Sequence, residues 1–438
     1  MAKRILLPDE PITDLAAYRD IGGGAGIERA RSLGPGAVVA EIRESGLRGR
    51  GGAGFPTHVK WSGLAEAGAR RSYVVCNAAE GEPGTYKDRH LMRMNPYRVI
   101  EGIAIAAFAT GSERAFIGTK AKFTAEIEAL TGALAEMAPA GLAGDIPIEI
   151  VPGPDDYLFG EEKAMLEVIE GNDPLPRLHP PYVQGLFETP GGPAQPAVVN
   201  NVETLSNVPL ILARGAKWFR SFGTEESPGT MVFTVCGDVA TEAVVELEMG
   251  TPLSILVYVA GGGVGEGRAP KLMVSGVSNA PLTVADIDAP LSFEGLRSVG
   301  SGLGSGGFAV YDDTRCAVQI GATLSAFLLA GSCGQCPPCK LGTEALTERF
   351  TSLTLGTGTE AQIGEVAAWI LRVTDSNRCG LGAGQQALAR GILERFPDDL
   401  AHHIGGGVCP ADRVVAPPII ESWDQGAMRF TFAAPPRT

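Results

Sequence analysis

The spacing of apolar and polar positions predicts alternating helices and strands over the first part of the chain. VVAEIRES (38–45) repeats apolar side chains at helical spacing, and SYVVCN (72–77) is typical of a buried strand that ends in an acidic turn. Further along come VIEGIAIAAFA, AFIGTK, a predicted helix from Phe123 to Met137, and IPIEIVPG. Such alternation favours a mainly parallel sheet with helices on its faces.

A further helical pattern begins at Phe159. In FGEEKAMLEVIEG, Glu161 and Glu162 fall in the first predicted turn, where the helix dipole favours negative charge. A proline-rich loop follows over 174–196, and a second loop then enters a helix near Glu203. In TPLSILVYVAGG, Thr251 is predicted to cap a helix whose first residue is Pro252.

Changes in this pattern divide the chain into four parts. Residues 1–227 carry the alternating helices and strands. Residues 228–312 contain short strand patterns such as MVFTVCGDV and KLMVSGV, which predict a small α+β module. Residues 313–404 are mainly helical, and residues 405–438 form a proline-rich tail for which disorder is expected.

Charge and hydropathy narrow the class of protein. The 438 residues include 36 Lys and Arg against 50 Asp and Glu, a net charge of −14 that disfavours nucleic-acid partners. The start MAKRILLPDEP has too short an apolar run for a signal peptide, so we expect a cytoplasmic protein. The uncharged stretch from Cys316 to Cys339 has too few consecutive apolar residues for a membrane span and is predicted to be a buried helix entering a loop.

The cysteines carry the strongest chemical signal. GSCGQCPPCK places Cys333, Cys336 and Cys339 at two-residue spacing, and Cys379 follows in RCGLG. Three thiolates in one loop with a distant fourth favour a 4Fe-4S cluster over zinc or unligated thiols. His402 and His403 lie too far along the chain to be obvious ligands. Of the other cysteines, three are expected to be core thiols and one lies alone in the tail: Cys76, Cys236 and Cys316, and Cys409 respectively.

A glycine-rich loop is the second chemical signal. GLRGRGGAGFPTHVKW has five glycines between Gly46 and Gly54, but it follows a helix, whereas a dinucleotide fingerprint needs a preceding strand. The loop therefore predicts either a phosphate site or only a tight connection. Because an iron-sulfur cluster moves single electrons, a two-electron donor would require a second cofactor, and the glycine-rich N-terminal half is the candidate region to hold it.

Six motifs together resemble one protein family. In chain order they are GLRGRGGAGFPTHVKW, CNAAEGEPGTYKDR, YLFGEEKAMLEVIEG, VVNNVETLSNVP, GLGSGG and SCGQCPPCK. The family is the flavoprotein subunit of respiratory complex I, a subunit type that recurs in NAD-linked hydrogenases and formate dehydrogenases. The resemblance runs from about Leu15 to Ile404. It implies an α/β fold with a Rossmann-like flavin domain, a ubiquitin-like (SLBB-type) module and a C-terminal helical bundle that carries the cluster.

The resemblance also implies which residues hold FMN. Gly49 and Gly51 would let the backbone approach the flavin, and Lys60 would offer it a cation. The asparagines would contact the flavin ring and ribityl phosphate, although such residues also cap helices. The implied set is Gly49, Arg50, Gly51, Lys60, Asn77, Glu80, Gly160, Glu161, Glu162, Asn200, Asn201 and Thr204.

The implied NADH contacts are Phe55, Glu82, His179 and Tyr182. Both aromatic residues match positions that stack adenine, although core packing would explain them equally well. Glu80, Glu82, Glu161 and Glu162 match the acids beside the nicotinamide, although the last two are equally explained as solvated first-turn acids.

The chain departs from the family pattern at four positions. Ala79 replaces a usual Asp, Gly63 replaces an aromatic residue that helps to sandwich adenine, His58 replaces a Gly, and His179 replaces a Lys. The loop GLFETPGGPAQPAVVNN is also longer than usual. CPAD in the tail resembles longer relatives in which it leads into a ferredoxin-like extension, but here VVAPPIIESW follows and no further cysteine appears. We expect these changes to affect NADH binding more than FMN binding.

The implied function is a cytoplasmic NADH dehydrogenase-type subunit that exchanges a hydride with NAD(H) through FMN. Single electrons would then pass through a 4Fe-4S cluster to partners, which include a thioredoxin-like 2Fe-2S subunit and further redox subunits. The protein would supply orientation and electrostatics with no catalytic side chain. Two alternatives stay open: a two-electron partner other than NAD(H), and a cluster-only electron wire without FMN. The direction of electron flow is open too.

Overall fold

The computed structural model describes residues 4–189, 191–409 and 415–433. Contacts between residues divide the chain into two compact units. The first comprises residues 1–81, 86–232 and 246–251, and the second comprises residues 82–85, 233–245 and 252–438.

Within the described residues, the first unit is built from ten helices and a parallel sheet. The helices are α1 (Leu15–Asp20), α2 (Ala25–Leu33), α3 (Pro35–Ser45), α4 (Thr57–Glu66), α5 (Lys87–Met94), α6 (Pro96–Thr110), α7 (Thr124–Met137), α8 (Glu162–Ile169), α9 (Val202–Arg214) and α10 (Ala216–Phe219). The strands are β1 (Tyr73–Ala78), β2 (Arg114–Lys120), β3 (Ile148–Gly153) and β4 (Ala197–Asn201), and a 3-10 turn covers Tyr157–Gly160.

Strands β1 to β4 are parallel and lie in the order β3-β2-β1-β4. The predicted parallel sheet with helices is therefore confirmed. The chain leaves β1 toward β2 and β3 and then returns to the other side of β1 as β4. In doubly wound sheets, ligands bind at the carboxyl ends of the strands where the order reverses in this way, which here is the end of β1 and β4.

The sheet has an apolar face that the sequence alternation places in the core. Tyr73 and Val75 of β1 pack with Phe116 of β2 and are covered by Phe159 and Met165. Because successive strand residues point to opposite faces, Val74 and Cys76 are buried on the other side. Both faces of the sheet are thus covered, and polar side chains gather at the carboxyl ends of its strands.

Helices α6 and α9 cross at very short range, and a glycine makes this possible. A Cβ added at Gly102 of α6 would lie 2.1 Å from the backbone oxygen of Leu205 in α9. A backbone atom of a packed helix cannot move aside easily, so this crossing tolerates only glycine.

A buried carboxylate fastens the start of the chain to the first unit. The Glu246 oxygens accept the backbone N–H groups of Ile5, Leu6 and Leu7 at 2.9–3.0 Å, and Oε1 also accepts the Thr230 hydroxyl at 2.6 Å. Burial raises the pKa of Glu246 above its ordinary value, while these donors favour the charged form.

The second unit contains a mixed sheet with the order β6-β5-β9-β7-β8. In this sheet β5 and β9 are parallel, whereas β7 runs antiparallel to β8 and β9. The strands, with one accompanying helix, are β5 (Thr230–Gly237), β6 (Ala243–Glu248), β7 (Pro270–Ser275), β8 (Leu282–Thr283), β9 (Gly307–Asp312) and α11 (Phe293–Ser298). Strands β5 and β6 belong to this unit from Phe233 and up to Val245.

Five helices and a hairpin follow in the described remainder of the chain. They are α12 (Ala317–Ala330), α13 (Pro337–Thr354), α14 (Glu360–Ile370), α15 (Leu381–Arg395), α16 (Pro397–Ile404), β10 (Ile420–Asp424) and β11 (Arg429–Phe432). Helix α12 packs against α13 and α15, and many of its side chains are buried. This agrees with the buried helix predicted from the uncharged stretch that begins at Cys316. In the described part of the chain, no helix is both long enough and apolar enough to cross a bilayer.

Three local predictions were wrong. VVNN is a strand, β4, because it pairs with β1 along its length, so it is not a loop before a helix. Thr251 is not a helix cap, since its hydroxyl donates to Glu248 O and the helical segment begins only at Leu253, before it continues as a π-helix over Ile255–Ala260. The tail forms the antiparallel β10-β11 hairpin within 415–433, so disorder was wrong there, while 410–414 and 434–438 lie outside the described residues.

Candidate cofactor sites

The carboxyl ends of β1 and β4 bring three asparagines together. Asn77 of β1 is directly paired with Asn201 of β4, and Asn200 is paired with Cys76. Asn77 Nδ2 donates to Gly160 O at 2.7 Å, which ties the 3-10 turn to the strand end. Asn200 Oδ1 accepts the Trp61 indole N–H at 2.9 Å, which fixes α4 beside β4.

Asn201 has two roles at this edge. Its Oδ1 accepts Glu203 N at 3.0 Å and so caps α9, which confirms the capping alternative for this residue. Its Nδ2 donates to Asp88 Oδ2 at 2.6 Å. Both ends of the amide are therefore oriented by neighbours, so its position at the edge is fixed.

The glycine-rich loop lies against this same edge. Gly49 N donates to Phe55 O at 2.8 Å and closes the loop, while Arg50 N donates to Thr204 Oγ1 at 2.8 Å. A Cβ at Gly51 would approach Asn201 Cβ at 3.1 Å, so glycine permits the close contact. The loop, Asn201 and Thr204 therefore form one surface, as the sequence motifs implied.

The Arg50 side chain anchors this loop from within. It is fully buried, and its guanidinium donates to the carbonyls of Pro228, Thr230 and Arg48. Burial lowers the pKa of Arg50 to about 10, an effect that the charge of Glu203 opposes. Arg50 therefore holds the shape of the loop through its side chain and, through its backbone N–H, ties the loop to Thr204.

Acidic side chains around the edge are held in different ways. Glu162 Oε2 accepts Lys60 Nζ at 2.7 Å, and the same ammonium donates to Val199 O at 3.2 Å. Glu161 Oε2 accepts Lys163 N and Ala164 N at 2.9 and 3.0 Å and caps α8, and burial raises the pKa of Glu161. Glu161 is thus a cap residue and does not lie in the first turn, where the sequence placed it.

Two further implied acids have firm partners. Glu80 is buried, and its carboxylate binds Arg89 Nε at 2.9 Å and Asp88 N at 3.0 Å. Glu82 belongs to the second unit, where Oε1 accepts Val277 N at 2.7 Å. Glu80 therefore orients α5, and Glu82 orients the segment after β7.

Three of the four implied NADH residues, all except Glu82, are exposed side chains of the first unit. Phe55 is 48% exposed and Tyr182 is 69% exposed, so neither belongs to the core, and this excludes the packing alternative for both. His179 is exposed as well. Large apolar rings held at a surface are available to stack a planar ligand.

A buried ion cluster at this edge was not found from the sequence. Lys87 Nζ lies 2.8 Å from Asp88 Oδ1 and 2.8 Å from Glu203 Oε2, and Lys87 and Glu203 are fully buried. Burial raises the pKa of Asp88 to about 6, while the Lys87 charge opposes this shift. In the sequence, YKDR is a charged run typical of a solvated turn. The one sign that this ion cluster is buried was Glu203, a charged residue in a mainly apolar helical pattern.

The departures from the family pattern have distinct surroundings. Ala79 is buried, whereas a Cβ at Gly63 in α4 would meet no atom within 4 Å. His58 Nδ1 is buried without a hydrogen-bond partner among the described residues, and burial together with the Arg43 charge lowers its pKa. Thr57 Oγ1 has the same unpartnered status.

These observations fit FMN binding. A glycine loop without side-chain bulk lies beside oriented amides and a lysine, and the two unpartnered buried atoms on the first turn of α4 follow directly after the loop. Polar atoms without protein partners are costly unless a ligand or water satisfies them.

The predicted cluster cysteines gather around the start of α13. Cys336 is its N-terminal cap residue, Cys339 lies in its first turn, and both are largely buried. Arg378 N, directly before Cys379, donates to Cys336 Sγ at 3.3 Å, and Arg378 Nη1 donates to Gln335 Oε1 at 2.7 Å. The loop of the fourth cysteine is thereby brought to the loop of the other three.

The sulfur environment suits an iron-sulfur cluster. Gln335 Nε2 donates to Cys333 Sγ at 3.5 Å, and N–H donors to sulfur are the contacts that tune such clusters.

Comparison with known proteins places the chain in a family. Residues 42–210 match the family model described as the Nuo51 FMN-binding domain, and residues 319–403 match the NADH-ubiquinone oxidoreductase-F iron-sulfur binding region. The chain is 36% identical over 427 residues to the F 2 subunit of NADH-quinone oxidoreductase of Rhizobium meliloti, which covers 94% of this chain and 100% of that protein. The chain belongs to the NADH-quinone oxidoreductase F-subunit family.

Relatives of this family also occur in other complexes. The chain is 33% identical to NADP-reducing hydrogenase subunit HndC of Solidesulfovibrio fructosivorans, over 92% of this chain and 82% of that one. A crystal structure of NAD+-reducing NiFe-hydrogenase in the H2-reduced state has a TM-score of 0.81 and 31% identity, with 93% of this chain and 69% of that chain covered.

The family assignment confirms several predictions. The protein is an NADH dehydrogenase-type oxidoreductase subunit with an FMN-binding domain and a 4Fe-4S region, and it is similar to subunits of multi-subunit complexes. This excludes the cluster-only electron wire, because the FMN domain spans the glycine loop and the strand edge described above.

Proposed function

We propose that this chain exchanges a hydride with NAD(H) in its first unit and passes the two electrons singly to the cluster of its second unit. The observation that carries the proposal is the convergence of the glycine loop with Asn77, Asn201 and Thr204 at the point where the strand order reverses. Bound FMN supplies the chemistry there, since it takes a hydride as two electrons and one proton and releases the electrons one at a time.

The chain's own residues would bind and orient the flavin. Gly49 and Gly51 carry no side chain, so the loop surface would let a ring edge or a phosphate approach the backbone closely. Gly160, Asn77 and Asn200 fix the opposite border of the surface through the contacts described above. Lys60, held by Glu162 and Val199 O, would supply a positive charge near the reduced ring.

The exposed rings would receive the nicotinamide cofactor. Phe55 and Tyr182 offer faces for adenine, and Glu161, Glu162 and Glu80 would accept hydrogen bonds from ribose hydroxyls and the carboxamide. Glu82 and His179 are the further implied contacts, the latter a titratable group where relatives of this type have lysine.

The cluster would be held by Cys333, Cys336, Cys339 and Cys379. The N-terminus of α13 adds a positive dipole end beside Cys336 and Cys339, which favours an anionic cluster. The N–H donors from Gln335 and Arg378 would raise its potential further.

Finer features of the family extend the proposal. We expect 228–312 to be a ubiquitin-like (SLBB-type) module, supported by the mixed sheet with α11, and 313–404 to be the cluster-bearing helical bundle. The electrons would leave to a thioredoxin-like 2Fe-2S subunit and further redox subunits in the cytoplasm. Subunits of this type serve both NADH oxidation and NAD reduction, as the names of the relatives indicate.

Anaerobic mixing of the FMN-loaded protein with NADH or NADPH tests the proposal. NADH is expected to bleach the flavin absorption within seconds, with about one NADH oxidised per flavin. A flavin that stays oxidised with NADH and bleaches with NADPH or another carrier would overturn NADH as the partner. That second candidate has support in Gly63, where an adenine-stacking ring is lacking, and in the similarity to an NADP-reducing subunit.

Replacing Lys60 tests the binding surface itself. Lys60→Met should weaken FMN binding about tenfold, because one charge-assisted contact contributes roughly 1.5 kcal/mol. Equilibrium dialysis with fluorescence of free FMN measures the change. Lys217→Met, at an exposed position of α10, is the matched control and should bind FMN as the unmodified chain does. Equal affinity of the two variants would remove Lys60 from the site.

A further inference from the structure

Two cysteines and a histidine outside the cluster lie together in the second unit. Cys316 Sγ is 3.1 Å from His403 Nε2, and Cys409 Sγ is 3.4 Å from the same nitrogen. All three ligand atoms lie within 4.8 Å of one another. The predictions of Cys316 as a core thiol and of Cys409 as an isolated cysteine were therefore wrong, since both sulfurs contact His403.

The chain positions these groups from three different segments. Cys316 is the residue before α12, His403 is a fully buried residue in the last turn of α16, and Cys409 follows a glycine-rich turn. Cys409 N also donates to Thr354 O at 3.2 Å, which holds the backbone of this residue against the end of α13. The grouping thus results from tertiary structure and has no short sequence motif.

The histidine is oriented as a ligand. Its Nδ1 lies 2.8 Å from Gly407 O, a contact that requires the proton on Nδ1 and leaves the lone pair of Nε2 directed at both sulfurs. Metal-binding histidines are typically held in this way by a backbone carbonyl.

The single Nε2 lone pair accepts one thiol proton, so two thiols could be accommodated only with a hydrogen bond between Cys409 and Cys316. A divalent cation between the three atoms would satisfy all of them. Two thiolates and a neutral imidazole also balance its charge, which removes the cost of burying a net charge.

We propose that Cys316, His403 and Cys409 bind one Zn²⁺ ion, separate from the iron-sulfur cluster. The softness of two thiolates with one imidazole selects zinc among the common divalent ions. The fourth position falls to a water molecule. Asp399 is a poor candidate for it, because its oxygens are engaged by Lys271 Nζ at 2.7 and 2.8 Å and by Ala317 N at 2.6 Å.

The ion would fasten the start of the tail to the helices of the second unit. Cys409 is the last described residue before 415, and its neighbours Gly407 and Val408 lie against His402 and Gly356. A bond from Cys409 to the metal therefore ties this segment to the starts and ends of α12 and α16. The role we assign is structural, and it does not depend on the proposed hydride exchange.

Metal analysis of the purified full chain tests this proposal. Elemental mass spectrometry should find one zinc per chain in addition to the cluster iron, and Cys409→Ser and His403→Gln should each lose that zinc. The matched control His402→Gln, one residue away at an exposed position, should keep it. Because His403→Gln alters a buried site, Cys409→Ser is the decisive variant, and its iron and flavin content verifies folding.

Cobalt gives an independent signal. Co²⁺ added to zinc-depleted protein should produce thiolate charge-transfer and tetrahedral d–d absorption bands that are absent in Cys409→Ser. The proposal is overturned if zinc stays below 0.1 per chain after growth and titration with Zn²⁺, or if Cys409→Ser and the unmodified chain bind equally. A Cys316–Cys409 disulfide found by non-reducing peptide mapping of the freshly isolated protein would overturn it too.

Discussion

At the scale of single residues, the asparagines at the carboxyl ends of β1 and β4 already make hydrogen bonds to neighbouring elements. Asn77 binds the 3-10 turn, Asn200 binds α4, and Asn201 caps α9. Substituting them would therefore disturb structure and binding together. Substitutions are more informative at positions where the structure leaves space for a larger side chain, or where a pKa shift has one dominant cause.

Gly63 is such a position. Gly63→Phe should lower the KM for NADH by up to about tenfold, because a ring over adenine contributes about 0.5–1.5 kcal/mol and the added side chain meets open space. Steady-state kinetics with ferricyanide measures this. Gly132→Phe is the control, since Gly132 is also an exposed glycine in a helix with no atom near its Cβ position. A KM that is unchanged or raised would place adenine elsewhere.

His90 of α5 gives a pH dependence with a defined sign. Burial, with a smaller effect from the Arg93 charge, lowers its pKa to about 4. The unfolded chain takes up a proton as pH falls through 6.5, whereas the folded chain does so only near 4, so stability is lost over that interval. The loss is about 3 kcal/mol.

Denaturant unfolding of the protein at pH 7 and pH 4.5 measures this effect. The His90→Gln variant should lose less stability between the two pH values than the unmodified chain. Equal losses in both proteins would show that His90 is protonated in the folded state.

At the scale of elements, patterns that depend on local periodicity were predicted well. The strand at 72–77 and the helices ending at Ser45 and Met137 agree with β1, α3 and α7 within a few residues, because one buried face sets their spacing. Strand β4 was missed because its identity comes from pairing with β1, and VVNN alone is also typical of a loop.

Site residues divide in the same way. The glycine loop and CxxCxxC are recognisable because all their members are close in sequence. The Lys87, Asp88 and Glu203 cluster and the Cys316, His403 and Cys409 group depend on packing of distant segments, which no local spacing encodes.

The crossing of α6 and α9 supplies a prediction at this scale. Gly102→Ala should destabilise the fold by about 3 kcal/mol, because its methyl group would overlap the Leu205 carbonyl and force the helices apart. Chemical denaturation measures the change. Gly132→Ala, which meets no atom within 4 Å, should instead be neutral or stabilising by up to about 1 kcal/mol. Similar effects of both variants would contradict the close crossing.

At the scale of the whole molecule, the two units divide the chemistry. The hydride-exchanging cofactor belongs to the first, and the single-electron cluster belongs to the second. Electron pairs would be split at the flavin before the cluster is reached. The acidic net charge of −14 adds a field that favours basic faces on partner subunits.

This order of electron flow is testable with one thiol. Cys336→Ser should abolish the electron paramagnetic resonance signal of the reduced cluster while NADH still bleaches the flavin, because the hydride step precedes the cluster. Stopped-flow absorption and low-temperature resonance spectra measure the two events separately. A variant that keeps the cluster signal but no longer bleaches would reverse the proposed order.

The Glu246 carboxylate sets a practical boundary for recombinant work on this protein. Trimming the chain past Leu7, or forcing a rigid fusion partner onto Ile5, would strip three amide donors from a carboxylate that is buried and depends on them. Affinity handles are therefore better joined upstream of Arg4 through a flexible spacer, or placed after the β10-β11 hairpin.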